Sequence, residues 1–206
     1  MGATRVSRNK DRLETLVVIS TILQYLPCMK KLTYDQISLK RAPADEISSI
    51  PRLPLLALAE NIRSLYNVGS IFRTADAVLL GKFILSGYTP TPPRKEIEKT
   101  ALGATATVPW EYIKDPIDAV RGLQSSGVRV VCLEHTDNSI PYTSVQPTEF
   151  PLCLVVGNEI TGVSQAVLNE CDGAIEIPML GIKHSLNVAV AFGVAVFELA
   201  RVYSRR

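Results

Sequence analysis

The chain has 206 residues, of which 47% are hydrophobic, 20% charged and 6% aromatic, with a formal net charge of +2. This composition fits a globular enzyme that buries a real core, with one domain of about 150 residues and an appendage. The charge is compatible with an RNA partner but lacks the strongly basic signature that would argue for one.

The four cysteines lie far apart and show neither zinc-finger spacing nor a disulfide framework. Three of them sit in apolar runs, so we expect buried free thiols in a reducing cytoplasm. The cysteines are Cys28, Cys132, Cys153 and Cys171.

The N-terminal stretch weakly resembles a signal peptide, but Glu14 and Gln24 interrupt its apolar run and no small-residue cleavage site follows. It is also too short to span a membrane. Met29 opens "MKKLTYDQISLK", which reads like a natural chain start. We therefore expect residues 1–28 to come from an upstream start codon or to form a poorly packed extension. The predicted division is an extension at 1–50 and a domain at 51–206.

From Leu53 onward, short apolar runs alternate with amphipathic ones, which predicts an α/β domain with a mostly parallel sheet. The predicted strands are 53–60, 82–88, 107–110, 128–135, 151–158 and 174–179. The predicted helices are 68–80, a short one within 91–103, one within 115–127 capped by Asp115, 164–170, and one from about Leu186 to the end.

The first segment with candidate chemistry is 60–78. Asn67 is placed to cap the predicted helix, and Gly69 leaves the backbone of its first turn open to an approaching group. Arg73 falls off the apolar stripe, on the face of Asp76. The alternative is a capped surface helix that carries an i,i+3 Arg–Asp pair.

The second segment, "LVVGNEITGVS" at 154–164, runs from a buried strand into Gly157 and Glu159. Ligands in open parallel sheets bind outside the carboxyl ends of strands, and the glycines would let main-chain amides meet such a ligand. The alternative is a glycine-rich turn with a solvated glutamate. A nucleotide P-loop is excluded, because no Gly-Lys-Ser/Thr follows at the required spacing.

The third segment is 177–201. Between Leu186 and Phe197 only Asn187 is polar, so we expect this helix to be buried nearly all round, with Ser185 as its N-cap. Asn187 then needs a partner, because an unpaired buried amide costs about 1–3 kcal/mol. His135 and His184 lack metal-ligand spacing, and no metal site is predicted.

Together and in this order, the three segments resemble the signature motifs of the SpoU (TrmH-like) branch of the SPOUT methyltransferases, over residues 53 to 203. The matching stretches are Asn67, Gly69 and "FRTAD", then "LVVGNE" with Thr161 and Gly162, then "IPM", Gly181, "SLNVAVA" and Glu198.

The resemblance implies an α/β fold with a C-terminal deep trefoil knot, a homodimer, S-adenosylmethionine as methyl donor and a ribose 2′-hydroxyl of RNA as acceptor. Knots are rare exceptions to the usual topology rules. By matching motif positions, the main chain of Gly157, Ile177 and Leu186 would hold the adenosine part, with Met179 lining the pocket.

Arg73 matches the arginine to which the family assigns activation of the ribose hydroxyl. A guanidinium has a pKa above about 12 and is an awkward base. We therefore expect Arg73 to position phosphate and ribose, while a phosphate oxygen or an unusual arginine state accepts the proton. The polar residues expected to orient Arg73, the ribose and the methionine moiety are Asn67, Glu159, Ser185 and Asn187. The basic residues expected to contact RNA are Arg63, Arg94, Lys95 and Lys183.

The leading hypothesis is an RNA 2′-O-ribose methyltransferase. Transfer RNA is favoured over ribosomal RNA, because no accessory domain for a large folded target is visible. Two alternatives stay open: a knotted RNA-binding or assembly protein with little catalysis, and a methyltransferase of a small molecule.

Overall fold

A computed structural model describes residues 29–39 and 46–205. The chain divides into two units, 1–43 and 44–206, and each is described by itself. In the first, helix α1 (Tyr34–Ser38) begins with a capping box, in which Thr33 Oγ1 accepts from Gln36 N at 3.3 Å and Gln36 Oε1 accepts from Thr33 N at 3.0 Å. The predicted extension 1–28, with Cys28, lies outside the described residues, and the boundary near residue 50 stays a prediction.

The second unit contains a seven-stranded sheet in the order β3-β2-β1-β6-β4-β7-β5, and every neighbouring pair of strands is parallel. The α/β class and the parallel sheet are thus confirmed. The strand predicted at 107–110 is wrong, since β3 starts where that segment ends, and β5 was not predicted. The strands are β1 (Leu53–Glu60), β2 (Leu80–Ser86), β3 (Trp110–Ile113), β4 (Arg129–Leu133), β5 (Ile140–Pro141), β6 (Leu152–Val156) and β7 (Gly173–Glu176).

Helices cover both faces of this sheet. Alternate residues of β1 point to opposite faces, so Ala57 joins the core under α2, α3 and α7, whereas Leu58 joins the core under α5 and α6. Helix α5 begins as predicted, with Asp115 as N-cap and Pro116 in the first turn. The helices are α2 (Leu65–Ala77), α3 (Lys95–Ala101), α4 (Ala104–Thr107), α5 (Pro116–Ser125), α6 (Gln165–Glu170) and α7 (Val188–Tyr203).

The sequence predicted that helix α7 would be buried nearly all round, and this prediction is wrong. One side packs against the sheet and α2. The other side faces out, with Val190 at 53% and Phe197 at 55% exposure. An apolar sequence shows that each side of a helix is hydrophobic, but it does not show that other residues of the same chain bury each side.

Gly69 allows a close approach to the backbone of α2, as predicted, and the group that approaches is α3. A Cβ at this position would lie 2.3 Å from the carbonyl oxygen of Ile97 and 2.1 Å from Thr100 Oγ1. The absent side chain therefore lets α3 pack on α2.

Three of the cysteines lie in the described ranges and are free, with Cys132 and Cys153 buried and Cys171 partly buried. Burial raises the pKa of the Cys153 thiol well above its ordinary value, as expected of a core residue. No helix within 29–39 and 46–205 is long and apolar enough to cross a membrane. The same residues contain no cluster of three or more His, Cys, Asp or Glu side chains that would suit a metal ion.

Candidate active site

Helix α2 begins at Leu65, three residues earlier than the predicted start at residue 68. Ser64, and not Asn67, is the N-cap, and its Oγ accepts from Asn67 N at 3.3 Å. Ser and Asn are comparably good caps, so the sequence could not distinguish them. Because Ser64 fills the capping role, the Asn67 side chain is left to bond elsewhere.

Glu159, at the carboxyl end of β6, is bonded to this helix terminus. Its Oε1 accepts from Ser64 N at 3.0 Å and from Asn67 Nδ2 at 2.8 Å, while Oε2 accepts from Arg63 N at 2.9 Å. Partial burial raises the pKa of the Glu159 carboxyl, but these donors outweigh burial and hold the pKa below its ordinary value. Glu159 is therefore an ionised group that ties β6 to α2, and not a solvated side chain.

Asn187 completes a chain of three side chains. Its Oδ1 accepts from Ala189 N at 3.0 Å, which makes it the N-cap of α7 in place of the predicted Ser185. Its Nδ2 donates to Asn67 Oδ1 at 3.1 Å. Asn187 is exposed rather than buried. It nevertheless has the partner that the sequence required, because Asn67 links it to Glu159.

A cavity of about 240 Å³ opens beside this network, at the carboxyl ends of β4, β6 and β7. Six of the predicted site residues line it: Gly157, Glu159, Ile177, Met179, Ser185 and Leu186. Its place matches the expected position of a ligand in a parallel sheet.

The turn after β6 explains why glycine stands at the cavity wall. Asn158 N donates to Gly162 O at 3.0 Å and Gly162 N donates to Asn158 O at 2.9 Å, so the chain folds back on itself. A Cβ on Gly157 would lie 2.2 Å from Val163 N. Only glycine fits this close approach, and it leaves main-chain groups at the cavity wall.

Sequence reasoning missed two polar residues of this wall. Asn158 is buried, and its Nδ2 donates to Asn61 O at 2.9 Å and to the Tyr88 hydroxyl at 2.8 Å. Glu134 lines the cavity, and its Oε2 accepts from Val163 N at 3.0 Å. Both lie at the carboxyl ends of the predicted strands 128–135 and 151–158, which is the signal that would have found them.

The cationic candidates lie apart from the cavity. Arg73 is exposed, and among the described residues it forms no ion pair. The Arg–Asp pair of the alternative interpretation does not form, and Asp76 Oδ1 instead accepts from Thr107 Oγ1 at 2.5 Å. The other predicted RNA contacts are likewise exposed and absent from the cavity wall, namely Arg63, Arg94, Lys95 and Lys183.

A fully parallel sheet with a cavity and a polar network at one carboxyl edge is typical of ligand-binding α/β proteins. Residues 54–197 match the SpoU rRNA Methylase family, and the chain belongs to that family. This confirms the resemblance seen in the three motifs.

Named relatives act on two kinds of RNA. A tRNA (guanosine(18)-2'-O)-methyltransferase of Aquifex aeolicus is 30% identical over 181 residues, which cover 87% of this chain and 80% of the relative. A 23S rRNA (guanosine-2'-O-)-methyltransferase, RlmB, of Vibrio cholerae is 32% identical over 76% of this chain and 63% of its own length.

Solved structures agree with the family assignment. The A. aeolicus TrmH/SpoU tRNA modifying enzyme has a TM-score of 0.70 at 29% identity, covering 82% of this chain and 84% of that one. An AdoMet-bound rRNA methyltransferase from Sinorhizobium meliloti has a TM-score of 0.67 at 31% identity, covering 75% and 59%. Family and neighbours confirm the predicted class, an RNA 2′-O-methyltransferase that uses S-adenosylmethionine. The knot and the roles of individual residues stay predictions.

Proposed function

We propose that the chain methylates a ribose 2′-hydroxyl of transfer RNA. The observation that carries this is the chain of hydrogen bonds from Asn187 through Asn67 to Glu159, which lies beside the cavity and joins all three family motifs. Transfer RNA is favoured over ribosomal RNA because the A. aeolicus tRNA enzyme matches this chain over most of both lengths.

The cavity suits a nucleoside with a sulfonium-bearing methionine tail. Ile177, Met179 and Leu186 give it apolar walls, and Gly157 leaves main-chain groups open beside them. We assign the adenosine part of S-adenosylmethionine to these four residues. When bound, this cofactor supplies an electrophilic methyl group.

The protein's own contribution is alignment, since methyl transfer is an in-line displacement that depends on the positions of donor and acceptor. Glu159 fixes Asn67, and Asn67 fixes Asn187, so one polar edge lies beside the cavity, which Glu159 lines. With Ser185 at the cavity wall, this edge would orient the ribose and the methionine moiety. The ribose hydroxyl must lose its proton as it attacks.

Arg73 is suited to hold RNA phosphate, because its guanidinium is exposed and unpaired among the described residues. A group with a pKa above about 12 does not readily accept a proton. We therefore assign Arg73 to positioning, and the proton to a phosphate oxygen or to an unusual arginine state. Arg63, Arg94, Lys95 and Lys183 would add further phosphate contacts.

We further propose a homodimer, formed in the cytoplasm, that uses the outer face of α7. Val190, Val194 and Phe197 leave a row of apolar side chains exposed on one helix, as expected of a surface that a second copy covers. The C-terminal trefoil knot, implied by the family resemblance, is part of this proposal.

The test begins with calorimetry of the full chain and S-adenosylmethionine. Methyl incorporation is then measured with total RNA from a strain that lacks the gene, and the modified nucleotide is mapped. We expect cofactor binding, incorporation into the transfer RNA fraction, and loss of incorporation in Arg73→Ala. Arg121→Ala, an exposed arginine paired with Glu170 on the other side of the sheet, is the matched control.

Cofactor binding without incorporation into RNA would favour a small-molecule substrate. Absence of cofactor binding would favour an RNA-binding protein without catalysis. Incorporation at the wild-type rate by Arg73→Ala would show that the assigned active site is wrong.

A further inference from the structure

Tyr88 presents an exposed aromatic ring at the same sheet edge as the candidate active site. It follows the carboxyl end of β2, and 61% of the residue is exposed. Its hydroxyl accepts from Asn158 Nδ2 at 2.8 Å. Asn158 is the neighbour of Glu159, so the far end of the ring is tied to the residue next to the polar network.

The backbone of Tyr88 is held as firmly as its hydroxyl. Tyr88 N donates to Asn61 Oδ1 at 3.1 Å. The next residue, Thr89, is buried, and its Oγ1 donates to Ala59 O and accepts from Ile62 N, both at 3.0 Å. With backbone and hydroxyl both fixed, little side-chain entropy remains to be lost when a ligand contacts the ring.

Asn158 is fully committed to holding this arrangement. Its Nδ2 donates to Tyr88 and to Asn61 O, and its Oδ1 accepts from Ile160 N at 2.9 Å and Thr161 N at 3.1 Å. An Asn side chain offers two donor hydrogens and one acceptor oxygen, and all are used. The buried amide therefore sets the ring orientation, and the contacts described for the methyl-transfer site do not use that ring.

Exposed basic side chains on the chain segments next to Tyr88 favour a polyanion. Arg63 lies two residues after Asn61, which is bonded to Tyr88 N, and its side chain is exposed. Arg94 and Lys95, both exposed, lie on the segment that follows Thr89 and opens α3. An exposed aromatic ring combined with basic side chains on adjoining segments is what proteins use to bind unpaired nucleotides.

We propose that Tyr88 is a stacking platform for a nucleobase of the RNA substrate, at or next to the nucleotide whose ribose is methylated. This rests on the proposed function. Because every base has a π face, the platform fixes the position of the nucleotide and does not select its identity. Together with the edge formed by Glu159, Asn67 and Asn187, it would hold base and ribose of one strand segment.

The test uses the full chain and unmodified total transfer RNA from a strain that lacks the gene, with KM for RNA, kcat and the Kd for S-adenosylmethionine measured separately. Stacking on an aromatic ring contributes about 1–3 kcal/mol per base, so Tyr88→Ala and Tyr88→Leu should raise KM for RNA roughly 5- to 150-fold. Tyr88→Phe and Tyr88→Trp keep a ring but lose the hydroxyl bond to Asn158, so KM for RNA should rise less than in Tyr88→Ala and Tyr88→Leu. The Kd for the cofactor should not change in any of the four variants.

Leucine is the decisive substitution, because it keeps an apolar side chain without a π face. A wild-type KM in Tyr88→Leu would overturn the platform, as would a Tyr88→Phe variant as impaired as Tyr88→Ala. A loss confined to kcat or to cofactor affinity would overturn it as well. Failure of the wild-type chain to methylate any RNA would instead contradict the proposed function, so the two failures are distinguishable.

Discussion

The two walls of the candidate site are built differently. On one side, Glu159 and Asn67 are fixed by hydrogen bonds that connect β6, α2 and the start of α7. On the other side, no hydrogen bond joins residues 177–186 to each other or to the rest of 29–39 and 46–205. Leu180 in this loop is 99% exposed and Ile182 is 93% exposed.

This difference separates two tasks of the site. The groups assigned to the ribose stand in place before any ligand binds, so alignment costs little ordering at the moment of reaction. The loop assigned to the cofactor has few contacts that hold it, and its ordering must be offset by binding energy. Substitutions in the two walls should therefore affect different constants.

Glu159→Gln should produce the largest effect, because it breaks the ordered wall. In glutamine, an NH2 group replaces one of the two carboxylate oxygens, and this group would face the N–H donors that Glu159 now accepts from. Because a misplacement of about 1 Å costs roughly 100-fold in rate, we expect the methylation rate to fall by about that factor. The free energy of unfolding should fall by about 1–3 kcal/mol. Single-turnover methylation and denaturant unfolding measure both changes.

Glu111→Gln is the control, since Glu111 pairs with Lys82 on the surface. Such a pair contributes less than about 1 kcal/mol, and methylation should not change. Equal effects of the two substitutions would show that the network at Glu159 has no special role.

Met179→Ala should affect the loop wall alone. Losing the apolar contact of this side chain with the cofactor should weaken S-adenosylmethionine binding roughly 10-fold, with the unfolding free energy unchanged. Ile182→Ala, in the same loop but outside the cavity lining, should leave the Kd as it is. Calorimetry measures both, and a lowered stability of Met179→Ala without cofactor would contradict the contrast between the walls.

Substitutions of Asn187 distinguish its role as the N-cap of α7 from its bond to Asn67. Serine can keep the N-cap of α7 but is too short to reach Asn67, whereas alanine loses both bonds. We expect Asn187→Ala to lower stability by about 1 kcal/mol and Asn187→Ser by only a few tenths. Both should slow single-turnover methylation, and wild-type rates in Asn187→Ser would reduce this residue to a helix cap.

The smallest predicted effect is the pH dependence of the Glu159 contribution. Its folded-state pKa is depressed, so the carboxylate stabilises the fold above its unfolded pKa, about 4.3, and this contribution fades as the pH falls through the folded value. The difference in Tm between wild type and Glu159→Gln should be constant near neutral pH and shrink in acid. A difference that grows towards acid would contradict the ionised assignment.

Local pattern predicted more of the fold than of the site. The bounds of β1 could be read from a continuous apolar run, because a strand covered on both faces needs one. The caps Ser64 and Asn187 were misassigned, since two good capping residues stood close together at each helix start. The bond from Asn187 to Asn67 joins residues 120 positions apart, and only the motif resemblance suggested a common site.

Amide hydrogen exchange of the full chain, with and without S-adenosylmethionine, tests the contrast between the two walls most directly. We expect the amides of Arg63 and Ser64, which donate to Glu159, to be protected in both states. The amides of residues 179–186 should gain protection only with the cofactor. Protection of this loop without cofactor, or free exchange of Arg63 and Ser64 until cofactor binds, would contradict the account.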